Sequence, residues 1–308
     1  MTERSESVRG RVLRTVGGIY EVEIEGEVLE CSLRGRLKKE KGIGKVAVGD
    51  KVELERMDDG GGVITGVLPR SSRLSRRSAD GRREQLIAAN VDQLGAVISV
   101  ARPEPVFPLL DRFLVLAEAN DISAFVVSNK VDLSGAEKAR ESFGVYRDIG
   151  YDVLYTSAKS GEGMEELREH LAGHVTLFVG SSGVGKSSLL NSLQPGLGLR
   201  VGEISKALER GRHTTVAAAL HPLDVGGYVV DTPGLGKMHL WEMGEQDLAH
   251  CFREFAPYLG DCKFDDCSHV HEPDCRILEA VERGDISALR YGSYRKILEE
   301  SGEESRGW

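Results

Sequence analysis

The segment Gly180-Ser181-Ser182-Gly183-Val184-Gly185-Lys186-Ser187 constrains what this chain can fold into more than any other. It needs a buried strand before it and a helix after it, and both are readable. Val175–Val179 is a short apolar run of the kind that fills a parallel sheet, and helical sequence starts near Lys186. Glycines at 180, 183 and 185 let backbone N–H groups close around a phosphate, and the helix N-terminus adds favourable potential. Gly180, Ser181, Ser182, Gly183, Val184 and Gly185 read as the cradle. Lys186 reaches the β- and γ-phosphates, Ser187 ligates Mg²⁺, and Ser188 sits in the first helical turn.

The companions of this loop come in a rotated order. Asn129-Lys130-Val131-Asp132 ends the apolar run Ala124–Ser128, upstream of the phosphate loop. The Asp132 carboxylate can accept from the N1–H and N2 amino group of guanine. Adenine offers no such pair, so an unsatisfied carboxylate would penalise ATP by several kcal/mol. Asn129 is expected to tether base and loop, and the Lys130 stem to pack along ring and ribose. Ser157-Ala158-Lys159 follows another strand and places the Ala158 N–H near guanine O6. Gly211-Arg212-His213-Thr214-Thr215 lies in the position of a switch loop, with Thr215 as the second Mg²⁺ hydroxyl and Thr214 as its substitute. In Asp231-Thr232-Pro233-Gly234, Asp231 is a metal-associated carboxylate at a strand end and the Gly234 N–H meets the γ-phosphate. Alone, that tetrapeptide is as often an ordinary turn. Leu235 follows where many GTPases have a water-orienting Gln, so intrinsic hydrolysis should be slow. His213 either positions water or only shapes its loop.

Cys262-x4-Cys267-x-His269-x5-Cys275 is a second chemical signature. Three thiolates and one imidazole make a closed tetrahedral Zn²⁺ site, structural and not catalytic. His271 competes with His269 for the fourth position. Metal removal is expected to unfold mainly the region after about 245. The N-terminus has no apolar stretch of the roughly 7–15 residues a signal peptide needs, and no run nears the roughly 18 that span a membrane. A cytoplasmic protein is expected.

Strands and helices alternate from about 90: Leu94–Val100, Phe107–Ala119, Ala124–Ser128, Val153–Tyr155, Met164–Leu171 and Tyr228–Val230. That pattern predicts a doubly wound α/β domain. Before it, short strands of period two, such as Tyr20-Val22-Ile24, suggest a small β-barrel, OB-like or SH3-like. We expect a barrel over 1–68, a basic linker over 69–89, a circularly permuted P-loop GTPase domain over 90–245, and a zinc-binding helical domain over 246–308. After the zinc cluster, Ile277, Leu278, Val281, Leu289, Ile297 and Leu298 recur at helical spacings and read as packing faces. The net charge is -9, but residues 1–89 carry 18 basic against 15 acidic side chains. Arg34, Arg36, Lys38, Lys39, Lys41 and Lys45 crowd one barrel loop. Arg70, Arg73, Arg76, Arg77, Arg82 and Arg83 fill the linker, read as flexible. Together they favour a surface for a phosphate backbone.

The motif order with this zinc spacing resembles the circularly permuted, ribosome small-subunit-dependent GTPases of the RsgA/YjeQ family, over nearly the whole chain. The resemblance implies an OB-fold, GTP hydrolysis stimulated by the 30S subunit, and a role in late 30S maturation. It implies 16S rRNA contact through barrel and zinc domain, with GTP state gating docking and release, and a monomer. It also implies His269 as the zinc ligand and a link between His213 and hydrolysis. Val216 departs from a frequent threonine, but Thr215 remains. From a different class, the alternative is a GTP-responsive RNA-binding assembly factor in which hydrolysis is incidental.

Overall fold

The computed structural model describes residues 7–35, 37, 46–58, 60–77, 84–197, 218–231 and 245–306 of the 308. They fall into two compact units, each built from separated stretches of chain. The first comprises residues 1–92, 171–177 and 203–239; the second comprises 93–170, 178–202 and 240–308.

In the first unit, β1 (Ser7–Val16), β2 (Ile19–Ile24), β3 (Glu27–Leu33), β4 (Lys51–Arg56) and β5 (Gly62–Val67) run in the order β1-β2-β3-β5-β4, and β4 closes onto β1. The β3–β5 pair is parallel. This Greek-key closure is the OB arrangement, which strand periodicity alone does not specify. Alternation sends Val12, Val22, Ile24, Val52, Leu54 and Ile64 into the barrel interior. Fully buried Asp50 accepts a bidentate contact from Arg70, with Nε and Nη2 at 2.7 and 2.8 Å, and a bond from the Ala47 N–H.

The linker differs from the sequence expectation. Arg73–Arg77 (β6) and Glu84–Ala89 (β7) pair as an antiparallel hairpin, not a structureless linker. Leu74, Ala88 and Ala89 supply the buried side chains that an arginine count hides. The Arg70 charge is consumed by Asp50, and Arg34 pairs with Glu55 at 2.6 Å. Arg36, Lys38, Lys39, Lys41, Lys45, Arg82 and Arg83 lie outside the described residues.

The same unit holds part of the predicted α/β sheet. Residues 175–177 of β11 (Val175–Val179) pair in parallel with β13 (Tyr228–Asp231). β12 (Ala219–Pro222) runs antiparallel between β13 and β1.

The second unit carries β8 (Gln93–Ser99), β9 (Ser123–Asn129) and β10 (Asp152–Thr156), all parallel. Every residue of β8 is buried, as expected of a central parallel strand. Around them lie α1 (Phe107–Glu118), α2 (Ala136–Asp148), α3 (Met164–Leu171) and α4 (Lys186–Leu193). The C-terminal segment contributes α5 (Glu245–His250), α6 (Arg276–Arg283) and α7 (Ala288–Arg306). Its core of Phe252, Phe255, Ile277, Ile286, Tyr294 and Ile297 also takes Val115 of α1.

Of the residues predicted for the α7 packing face, Ile297 is buried and Leu298 packs against the same core, but Leu289 does not. Leu289 is 42% exposed and Arg290 is fully buried. Arg290 Nη1 donates to Asp111 of α1 at 2.6 Å and Nε to Glu254 at 2.7 Å, with Phe252 under the guanidinium. Burial alone would disfavour the Arg290 charge, but these two carboxylates outweigh it and raise the pKa. No helix among the described residues is long and apolar enough to cross a membrane.

Candidate functional site

The phosphate loop joins β11 to α4, whose first residue is Lys186. Gly180 and Gly185 have φ of 152° and 103°. A Cβ on Gly180 would stand 2.3 Å from the Val97 carbonyl oxygen, and one on Gly185 would stand 2.4 Å from Asn129 Nδ2. The loop can therefore lie this close to β8 and β9 only as glycine. Lys186 Nζ donates to the Gly180 and Ser181 carbonyls at 2.6 and 3.1 Å, which holds the ammonium against the loop. Ser187 and Val184 are buried, while Ser181 and Ser188 are half-buried and Ser182 and Gly183 are exposed.

The residues predicted to read the base come from the carboxyl ends of β9 and β10. Asn129 is 2% exposed and spends its amide on protein: Nδ2 donates to the Val184 carbonyl at 2.8 Å, and Oδ1 accepts from Thr156 Oγ1. It thus ties β10 to the phosphate loop. Lys130 adopts the left-handed conformation, with φ 66°. Its Nζ donates to the Gly183 carbonyl at 2.6 Å and also to the Arg102 carbonyl. The loop after β8 is therefore part of this site, and a Cβ on Gly183 would lie 3.8 Å from Pro103. Sequence reasoning missed that loop because Ala101-Arg102-Pro103 has no motif letters. Exposed Asp132 is aimed by Ser157, whose Oγ donates to Asp132 Oδ1 at 2.7 Å and accepts from the Ser160 N–H. Ala158 is half-buried and Lys159 exposed beside them. These predicted base- and phosphate-binding loops are hydrogen-bonded together within one unit.

Asp231 ends β13 in the other unit, opposite Ala219 of β12. His213, Thr214, Thr215, Thr232, Gly234 and Leu235 lie outside the described residues.

The cysteine cluster is assembled from a loop and the start of α6. The donor atoms of Cys262, Cys267, His269 and Cys275 all lie within 4.8 Å of one another. His269 Nδ1 is 3.6 Å from Cys262 Sγ and 3.5 Å from Cys275 Sγ, and the two sulfurs are 3.9 Å apart. A tetrahedron with zinc–sulfur bonds of about 2.3 Å and a zinc–nitrogen bond of about 2.0 Å has edges of about this length. The four residues therefore fit one Zn²⁺. Exposed His271 is not among them. Burial pushes the Cys267 thiol up to about 12 and raises that of Cys275, so thiolates here need a cation. Glu272 braces the loop by accepting from Ser268 N and Oγ, Val270 N and His271 N. Burial alone would raise its pKa, yet these bonds hold it far below the usual carboxylate range. Tyr291 and Tyr294 of α7 donate to the carbonyls of His269 and Ser268.

Residues 67–241 match the profile described as RsgA GTPase, and residues 9–64 match the RsgA N-terminal domain. Small ribosomal subunit biogenesis GTPase RsgA of Gemmatimonas aurantiaca is 47% identical over 299 residues, covering 96% of this chain and 97% of that protein. The protein of the same name from Thermotoga maritima is 44% identical, with 95% and 96% covered. Among solved structures, YjeQ from Thermotoga maritima superposes with a TM-score of 0.79 at 40% identity, covering 96% of this chain and 98% of that one. YloQ, described as a circularly permuted GTPase, superposes at 0.78 and 30% identity, covering 100% and 99%.

Proposed function

Because the chain belongs to the RsgA GTPase family, we propose that it is a GTP hydrolase that binds the 30S ribosomal subunit and acts in its late maturation. The observation that carries this reading is the near-complete coverage of relatives named for small-subunit biogenesis, joined to a site built for guanine. Asp132 reads the guanine edge, aimed by Ser157, and the Ala158 N–H meets O6. Asn129 and Lys130 fix the base-reading loop to the phosphate loop, so base and phosphates are held in one register. Backbone N–H groups of residues 180–188 and the α4 N-terminus stabilise phosphate charge. Lys186 neutralises what develops on the β–γ bridge.

Ser187, Thr215 and Asp231 would supply oxygen donors to Mg²⁺, which would offset phosphate charge. Gly234 meets the γ-phosphate, and His213 stands in for the absent glutamine. Zn²⁺ held by Cys262, Cys267, His269 and Cys275 is structural. The partners are 16S rRNA, through barrel and zinc module, and the protein works as a cytoplasmic monomer whose GTP state gates docking and release. Turnover of GTP with and without 30S subunits tests the reading. A rate raised at least about tenfold by subunits supports it, and an unchanged rate overturns it.

A further inference from the structure

The first unit contains polar ties that the chemistry above does not use. β13, which ends in Asp231, reaches the barrel through β12, because Ala219 pairs with both Asp231 and Arg14 of β1. Tyr228 stands three residues before Asp231 on β13, about 10 Å along the strand. Its hydroxyl donates to Glu23 of β2, and the Arg11 guanidinium lies 4.9 Å over its ring. Arg11 pairs with Glu23 across the β1–β2 ladder, and its Nη1 is buried with no hydrogen-bond partner. Pairing puts Arg14, Ala219 and Asp231 in a row on the opposite face of the sheet, where Arg14 meets Glu21 at 3.8 Å. The strand that ends in Asp231 is therefore fastened to the barrel by Tyr228 on one face and by the backbone ladder through β12.

We propose that Tyr228 is a positioning residue for Asp231. Held by Glu23 and Arg11, it couples the phosphate-sensing strand to the barrel. The barrel then registers whether a γ-phosphate is present, and a partner bound to the barrel acts back on Asp231. This reciprocity follows from linkage and needs no second machinery. The carrier is a contiguous hydrogen-bonded and stacked network, not mere proximity. The inference rests on the reading of the chain as a GTPase with Asp231 at its Mg²⁺.

Amide hydrogen exchange tests it directly in the full-length wild-type protein, comparing Mg²⁺ with a non-hydrolysable GTP analogue against Mg²⁺ with GDP. The expected result is that exchange across β1 and β2 differs about fivefold between the two. Tyr228→Phe keeps the ring under Arg11 and loses the hydroxyl. It should abolish that difference while leaving affinity for both nucleotides within about twofold. Glu23→Ala, and the double variant, should show the same loss and no more, because all three cut one bond. In turnover assays the same variants should lose about tenfold of the 30S-stimulated rate. Identical barrel exchange with the two nucleotides, or additive single-variant effects, overturns the coupling. If exchange responds to nucleotide but turnover ignores 30S subunits, the coupling stands and the ribosome dependence falls.

Discussion

Asp132 is the residue proposed to discriminate between bases, and a single hydroxyl aims it. Ser157 Oγ holds Asp132 Oδ1 at 2.7 Å across 25 residues of sequence. Removing one such bond costs about 1 kcal/mol. Ser157→Ala should therefore weaken GTP binding about fivefold by calorimetry, with Tm nearly unchanged. Asp132→Asn should turn selectivity from guanosine toward xanthosine nucleotides in the same measurement. Both residues are legible as motif letters, but their mutual bond is not, because it depends on β9 and β10 lying side by side. The amide of Asn129 is a sharper case, since the residue is recognisable yet its partners are Val184 and Thr156. At the zinc cluster, spacing leaves His269 and His271 open. The left-handed His269 backbone, φ 60°, accompanies an inward ring, whereas His271 is exposed. His269→Ala should lose bound zinc by elemental analysis, and His271→Ala should retain one equivalent.

At the scale of elements, the apolar strands are legible because a buried parallel sheet leaves a near-continuous hydrophobic run, and β11 is read to the residue. The β6–β7 hairpin and the place of Arg290 in the α7 core face are not. Arginine density suggests a solvated linker, and a guanidinium at a core position defies the helical pattern. Arg290, Asp111 and Glu254 form a buried charge cluster between α7, α1 and the turn after α5. Breaking such a cluster leaves an uncompensated charge, at a cost of about 3–5 kcal/mol. Asp111 Oδ2 already lacks a partner. Arg290→Met should lower Tm strongly by calorimetry, and Arg290→Met with Asp111→Leu should recover part of the loss. No recovery in the double variant would contradict this account of the cluster.

At the scale of the whole molecule, the cysteine-cluster loop shares a unit with the loops proposed to read guanine. Tyr291 and Tyr294 hold that loop, while the adjacent Arg290 holds α1. This changes the expectation for metal removal. Chelation should weaken GDP binding and lower the main unfolding transition, and not melt only the C-terminal segment. Thermal scans with and without chelator and GDP distinguish these outcomes. The other unit has a consequence of its own for synthesis. β1 leaves the translating ribosome well before β12, which covers its far edge at Arg14 and follows roughly 200 residues later. In the interval the nascent chain presents an open strand edge, the usual template for misassociation. Arg11 and Arg14 on that strand disfavour pairing with a neighbouring chain. The same arginines that later fasten the barrel to its late-arriving partner thus guard the place until translation delivers it.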